Sequence, residues 1–367
     1  MIRKIYIVLL VSSSFFCSCS REIGEGTDPN APVGLDARIA GVSLITRGGA
    51  EGATSISSLG IYAVNKESSE NAYGAAPAGT YCAYKIVSGA ASPNDATAPL
   101  WLCQEKATIF SCHPAPASSI TSGGTATDPD PVVKIPADAI GHTRSAIATV
   151  SGNVYDFADA AHDYMYGVAY DNTKSPEAAK YLTGQPVADN GHNTTGTSVV
   201  NTSGPSVAIG LKHAFAQIKL VISKDATYQG AAKITQVTYT RNMKTLKSDG
   251  STTMSLKNGT LANTADLADT SCSFTFAESG GVATAEAGGS PVTLVNYVLP
   301  NDAPASNSTF SVTVDGKVMT MEHNSDPEWE AGNIYSYTIT INPTGLELTG
   351  FNVIPWKDDS QPDIPTI

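Results

Sequence analysis

The stretch Ala214-Phe-Ala-Gln-Ile-Lys-Leu-Val-Ile222 decides the fold class of this chain. Every second residue in it is apolar, from Ala214 through Ile218 to Ile222. Strict alternation of this kind is typical of a β-strand that buries one face. The same alternation recurs over residues 233–239, 292–299, 309–314 and 334–341. The second half of the chain therefore consists of strands without intervening helices, which favours antiparallel sandwich architecture.

The first half has shorter strand signals of the same kind, at residues 59–64, 80–87, 107–110 and 163–170. Clusters of Gly, Pro, Ser, Asn and Asp separate them, as expected for turns. The longest cluster, about residues 191–205, is the best candidate for a domain boundary. We predict an all-β chain with two tandem antiparallel β-sandwich (transthyretin-like) domains, at residues 48–204 and 205–367.

Composition excludes one class of partner. The chain has 367 residues with 22 basic and 34 acidic side chains, a net charge of -12. Nucleic-acid binding requires a cluster of Lys and Arg that neutralises phosphates, and the sequence contains none. Only 15% of the residues are charged, against about 25% in typical soluble domains, which suits a β-rich exported protein.

The chain begins with a segment that resembles an export signal, MIRKIYIVLLVSSSFFCSC, residues 1–19. Its basic start precedes an apolar run that is too short for a bilayer span of roughly 20 residues, so a signal peptide is predicted. Cys19 follows the small Ser18, as in a bacterial lipoprotein box, where lipid attached to the Cys anchors the protein at the outer membrane. An ordinary cleavage site is the alternative. Residues 20–47 are interpreted as a polar tether and a removable first strand.

Four cysteines lie beyond the signal, at positions 82, 103, 112 and 272. In an oxidising compartment they could pair in three ways. Cys103 and Cys112 flank one possible turn and are the first candidates for a disulfide. Free buried cysteines are the open alternative.

Residue patterns that would carry catalysis are missing from the sequence. The six His have no metal-ligand spacing, and no nucleophile elbow or phosphate-binding loop occurs. The carboxylate pair Asp128 and Asp130 lies in a Pro-flanked loop, so we interpret these two residues as solvated loop residues. We therefore predict no enzyme activity, no cofactor and no metal.

Four motifs follow one another along the chain. They are Asp163-Tyr-Met-Tyr-Gly167, the strand pair of residues 207–220 with His213, Trp329-Glu-Ala-Gly-Asn-Ile-Tyr335, and Thr344-Gly-Leu-Glu-Leu-Thr-Gly350 with its continuation to Trp356. In this order they resemble the motifs of the fimbrillin-like family, the lipoprotein-derived pilins of type V pili in Gram-negative anaerobes.

The resemblance implies maturation by proteolysis. An Arg-specific protease would remove the first strand, and a C-terminal strand of another subunit would fill the groove, a form of β-augmentation. Arg47, which ends an apolar run and precedes Gly48, is the expected cleavage site, with Arg38 as the alternative. The expected donor strand contains Leu346, Leu348, Phe351, Val353 and Trp356. The alternative is a strand that stays within its own domain.

The function that the resemblance implies is that of a structural fimbrial subunit at the cell surface, without a reaction of its own. Its expected partners are other pilus subunits, the protease, the outer membrane through the precursor's lipid, and a host or bacterial surface receptor. The alternative is a surface glycan-binding lipoprotein of a polysaccharide-uptake system, with Trp101, Trp329 and Trp356 as sugar platforms.

Overall fold

The computed structural model describes residues 31–32, 34–39, 56–66, 72–87, 90–95, 100–102, 105–117, 119–140, 143–145, 153–157, 162–171, 173–175, 177–189, 206–276, 281–285, 289–300 and 306–356. In chain order its strands are β1 (Ala31–Pro32), β2 (Gly34–Ile39), β3 (Ser58–Asn65), β4 (Gly79–Val87), β5 (Ala90–Pro93), β6 (Trp101–Leu102), β7 (Ala107–His113), β8 (Val132–Lys134), β9 (Thr143–Ser145), β10 (Val154–Asp156), β11 (Met165–Ala169), β12 (Val187–Ala188), β13 (Ser206–His213), β14 (Ala216–Lys224), β15 (Lys233–Thr245), β16 (Thr253–Ser255), β17 (Leu261–Ala262), β18 (Ala265–Thr275), β19 (Val282–Ala283), β20 (Val292–Val298), β21 (Ser306–Val314), β22 (Lys317–Asp326), β23 (Asn333–Asn342) and β24 (Gly345–Pro355). A short 3-10 helix spans Glu177–Lys180.

Two sheets form a sandwich from most of the C-terminal half. One has the order β10-β20-β14-β23-β24, and the other the order β22-β21-β15-β18-β9, with β19 beside β15. The apolar core between them takes alternate residues from each strand, because successive side chains of a strand point to opposite faces. Ala216, Ile218, Leu220 and Ile222 all lie in this core, which confirms the strand predicted at this stretch.

The N-terminal half forms an eight-stranded sheet of order β2-β13-β11-β7-β3-β4-β5, with β12 beside β7. The sheet curls, so that β2 comes close to β5. A second apolar cluster covers one face of the sheet and includes Leu59, Ile61, Ile109, Val207 and Ile209.

A third apolar cluster joins the two halves. Strands β3 and β7 are buried on both faces, and Tyr62 and Phe110 point away from the N-terminal core. They pack in one cluster with Phe215, Tyr297 and Trp356 from the C-terminal half. The two halves therefore share a continuous apolar contact.

A small sheet of order β17-β16-β8 reinforces this junction. The loop before β8 is fastened to it, since Lys257 Nζ donates to both carboxylate oxygens of Asp128 at 2.7 and 2.8 Å. Ser255 Oγ donates to Asp130 Oδ1 at 2.6 Å. The Asp128 and Asp130 pair is thus occupied by structural contacts.

The all-β prediction is confirmed, but strand pairing does not follow the expected division between residues 204 and 205. Strand β13 lies inside the N-terminal sheet, where Val207, Ile209 and Leu211 complete the apolar cluster. Conversely, β9 and β10 join the C-terminal sandwich, where Tyr155 and Phe157 enter the core. Several pairs, including β2–β13 and β14–β23, are parallel.

Cys112 is a free, buried cysteine on β7, which does not fit the predicted bridge to Cys103. Burial raises the pKa of its thiol to about 12, so the reactive thiolate is suppressed at neutral pH. Cys103 itself, like Cys19, Arg47 and Gly48, lies outside the described residues. Among the residues described, no helix is long and apolar enough to cross a membrane.

Candidate functional site

The first described strand forms one edge of the N-terminal sheet. Strand β2 pairs in parallel with β13, from Gly34 opposite Ser206 to Ile39 opposite Leu211. Just before it, β1 pairs with β6, with Pro32 opposite Trp101. The chain from residue 31 to residue 39 thus covers two strand edges, and it lies N-terminal to Arg47.

The strand beneath this edge is strongly apolar. Val207, Ile209 and Leu211 of β13 are fully buried in the N-terminal cluster, while Ala208 on the opposite face is half-buried. Loss of β2 would leave the backbone groups of this strand unpaired along one side. Unpaired backbone groups beside a buried apolar cluster are unfavourable.

The last described strand, β24, forms the edge of a C-terminal sheet. It pairs with β23 as an antiparallel hairpin, and its other side has no strand among the residues described. The hairpin turn is held by Asn342 Oδ1, which accepts hydrogen bonds from Thr344 N at 3.0 Å and Gly345 N at 2.9 Å. The expected donor segment is thus an edge strand of its own domain in this structure.

A β-bulge keeps the apolar residues of β24 in phase. Leu348 lies opposite Ile339 and Gly350 opposite Thr338, so Thr349 is an extra residue on this strand. Without it, Leu348 and Phe351 would point to opposite faces. With it, four of the five expected donor residues lie opposite four buried residues of β23: Leu346 opposite Ile341, Leu348 opposite Ile339, Phe351 opposite Tyr337 and Val353 opposite Tyr335.

Apolar residues of β24 are unusually exposed. Phe351 is 37% exposed, Val353 39% and Ile354 37%. Together they make up half of the large exposed apolar side chains in the described part of the chain, the others being Val87, Trp101 and Val318. Glu347 is the one charged residue of this strand, and the apolar edge from Phe351 to Ile354 is a template for pairing with another strand.

The end of β24 is fastened to the end of β13. The Trp356 indole stacks on the His213 imidazole at 3.8 Å between centroids, with 3° between planes. His213 Nδ1 in turn lies 3.0 Å from both carboxylate oxygens of the buried Asp163. Trp356 N donates to the Gly332 carbonyl at 2.7 Å. Residues from all four sequence motifs thus meet at one point.

A second buried polar group lies in the C-terminal sandwich. Arg241 Nη1 lies 3.7 Å from Asp326 Oδ2, which also accepts a hydrogen bond from Tyr239 at 2.8 Å. His323 Nδ1 lies 2.7 Å from Asp326 Oδ1. The Arg241 guanidinium lies 4.3 Å from the Trp329 ring centroid, a cation–π contact. Arg241 Nη1 and Nη2 also donate to the Pro327 carbonyl at 3.2 and 3.3 Å, while Arg241 Nε has no hydrogen-bond partner among the described residues.

The geometry gives little support to sugar binding by the three Trp residues or to a metal site. Trp329 and Trp356 are buried, whereas Trp101 is 45% exposed. No group of three or more His, Cys, Asp or Glu that could hold a metal ion occurs within the described ranges.

The removable first strand was predicted within residues 20–47; its apolar run, residues 41–47, lies outside the described residues and stays a prediction. The described strand is β2, where the sequence alternates Leu35, Ala37 and Ile39 with Asp36 and Arg38. That alternation was the available signal. No sequence signal indicated that Asp163, His213 and Trp356 would meet.

The fold is all-β, and two of its sheets end in edge strands, β2 and β24, that come from opposite ends of the described chain. A family model described as fimbrillin-like matches residues 51–356, well over half of the chain. The chain belongs to the fimbrillin-like family.

Solved structures are similar to this chain over most of its length. One, of a protein assigned to cell adhesion from Bacteroides ovatus, has 14% identity and a TM-score of 0.54, covering 90% of this chain and 99% of that one. Another, of a fimbrial protein from Bacteroides vulgatus, has 10% identity and a TM-score of 0.42, covering 89% and 99%. No curated protein matches the chain.

Proposed function

We propose that the chain is a structural subunit of a type V fimbrium at the cell surface. It is exported as a lipoprotein precursor anchored to the outer membrane through Cys19, cut between Arg47 and Gly48, and polymerised with other subunits by strand exchange. The observation that carries this proposal is that β2, which precedes the cleavage site, is an edge strand on β13. The fimbrillin-like family supports the same role.

Cleavage at this position would change the N-terminal sheet in a defined way. It would detach β1 and β2 together, because both precede Arg47. The exposed edge of β13 would then be completed most favourably by a strand that restores the hydrogen bonds and covers the apolar cluster. Strand β24, with its exposed apolar residues, has the properties of such a donor.

Arg38 is the less suitable cleavage site. It lies within β2, opposite Gly210, so its backbone is part of a parallel ladder. Proteases need an extended and accessible backbone, which a paired strand does not offer. A glycine-containing segment such as Arg47-Gly48-Gly49 suits cleavage better.

The test is treatment of the purified precursor with an Arg-specific protease. We expect a new N-terminus at Gly48 and polymers that resist SDS. Arg47→Ala should block both, and Arg38→Ala should leave both unchanged. A cut protein that stays monomeric would contradict strand exchange, and a surface form that starts at a blocked Cys19 would indicate an anchored lipoprotein.

The glycan-binding alternative keeps one supporting observation, the exposure of Trp101. Exposed aromatic rings can serve as platforms for sugar rings. Binding to a glycan array that is lost in Trp101→Ala, together with absence of polymers after cleavage, would favour this alternative.

A further inference from the structure

Two distant stretches of the chain share a pattern. Residues 32–37 read Pro-Val-Gly-Leu-Asp-Ala, and residues 343–348 read Pro-Thr-Gly-Leu-Glu-Leu. Proline, glycine and leucine recur at the same positions, followed by an acidic and then an apolar residue. The first stretch covers the edges of β6 and β13, and the second opens β24.

The structure shows what the first stretch lies against. Pro32 is opposite Trp101, Leu35 is opposite Val207, and Ala37 is opposite Ile209. The acidic Asp36 is opposite Ala208, which lies outside the buried cluster, whereas Val207 and Ile209 lie within it. The apolar and acidic positions of the shared pattern therefore alternate in register with the buried and the half-buried residues of β13.

We propose that residues 343–351 of one copy bind β13 of a second copy in the place and direction of residues 32–39. The donor strand runs parallel to β13, with Leu346 opposite Val207, Leu348 opposite Ile209 and Glu347 opposite Ala208. This inference rests on the proposed function and specifies its donor segment, direction and register.

The bulge of β24 extends the match. If Thr349 remains the extra residue, Gly350 falls opposite Gly210 and Phe351 opposite Leu211. Leu346, Leu348 and Phe351 then lie along the same row as Val207, Ile209 and Leu211, all fully buried. Phe351 thereby exchanges a 37% exposed position for a covered one, which favours transfer.

The residues after Trp356 are less suited to pairing with β13. They include Pro362 and Pro365, and proline cannot donate to a ladder. Apolar residues among them are Ile364 and Ile367, next to these prolines. Transfer of β24 exchanges the ladder on β23 for one on β13, so few backbone hydrogen bonds are lost overall.

Disulfide trapping in polymers tests the register. In a Cys103→Ser background of the full chain, we would make two pairs, Glu347→Cys with Ala208→Cys and Asn352→Cys with Lys212→Cys. The proposed register places Glu347 opposite Ala208 and, one residue beyond Phe351, Asn352 opposite Lys212. Residues opposite each other lie within the Cα separation of about 4.4–6.8 Å that a disulfide requires. Cleavage should turn each into a ladder of disulfide-linked dimers and higher oligomers on SDS gels of heat-denatured samples. The ladder should appear without reductant, disappear with reductant and be absent before the cut.

The matched controls recombine the same substitutions, as Glu347→Cys with Lys212→Cys and Asn352→Cys with Ala208→Cys. Ala208 and Lys212 are four positions apart, about 13 Å along the strand, so neither control should cross-link. Ladders in the controls would show an antiparallel donor and overturn the proposal. Polymers without any ladder would overturn it while leaving strand exchange intact, and absence of polymers would overturn both.

Discussion

The two ends of the chain form two edges that differ in how they are covered. At the N-terminal edge, β2 lies on β13, whose apolar residues are fully buried. At the C-terminal edge, β24 lies on β23 but leaves Phe351, Val353 and Ile354 more than a third exposed. The core of the C-terminal sandwich is largely closed by other strands, and β24 adds only partly buried leucines to it.

The two edges therefore differ in how much apolar surface is uncovered when the edge strand leaves its sheet. Removing β2 uncovers a buried row, so that edge must be refilled. Releasing β24 exposes less additional apolar surface, because much of the strand already faces water. The covered edge therefore has the character of an acceptor, and the exposed one that of a donor.

The largest expected effect comes from placing charge on the donor face. Leu346→Asp with Leu348→Asp should abolish polymers, because burial of two unpaired carboxylates costs several kcal/mol each. The cut monomer should remain folded, since both positions are only partly buried in it. Polymer yield on SDS gels and the circular dichroism of the monomer would be measured. Glu347→Gln, whose side chain is exposed, should polymerise normally; polymers in the double variant would contradict the donor assignment.

The next effect concerns the stack that fastens the end of β24. Trp356→Ala should lower the free energy of unfolding by about 3–5 kcal/mol, since a buried Trp is lost. Trp356→Phe keeps a ring beside His213 and should cost less, about 1.5 kcal/mol. Urea unfolding measures both. Equal stabilities for the Ala variant and the wild type would show that the C-terminal edge is not anchored at Trp356.

A smaller effect is expected beneath the acceptor edge. A Cβ at Gly167 on β11 would lie 1.8 Å from Ser111 Oγ and 2.8 Å from Ile209 Cγ2. Gly167→Ala should therefore destabilise the protein by about 1–3 kcal/mol through overpacking. Adding Ser111→Ala removes the nearer clash and should restore part of the loss in the same unfolding experiment. Failure of that rescue would place the strain elsewhere.

The smallest effect is expected away from both edges. Asp128→Asn breaks an exposed ion pair with Lys257, and such pairs contribute little. The hydrogen bond to Asp128 raises the Lys257 pKa above 10.5, so the contribution is present at neutral pH and is lost as pH rises through that raised pKa. Melting temperatures at low and high salt would check this. A large, salt-independent loss would mean that this loop supports the junction more than its exposure indicates.

Local patterns predicted the strands well, because alternation is a property of neighbouring residues. The stretch that begins at Ala214 is an example, with Ile218 and Leu220 in the core as expected. The bulge at Thr349 was not predicted, although Leu348 and Phe351 could be in phase only with an inserted residue. The pairing of Ser206–His213 with strands on the other side of the expected boundary was not predicted, because alternation identifies a strand but not the sheet that it joins.

Contacts between distant residues were beyond the sequence for a related reason. Asp163 and His213 are separated by 50 positions, and Trp356 comes much later. Their motifs could be placed on strands, but only the order of strands in the sheets brings them together. The same holds for Tyr155 and Phe157, which a linear division would assign to the wrong half.

The exchange of strands between the halves limits how the gene product can be divided. A fragment that starts at Ser206 would lack Tyr155 and Phe157, whose rings lie 4.7 and 4.9 Å from Phe276 and Phe274. A fragment that ends before Ser206 would lack β13 and with it the buried residues Val207, Ile209 and Leu211. Neither half is a module that could be cloned, swapped or evolved as a separate cassette, so the chain must be inherited and engineered as one unit.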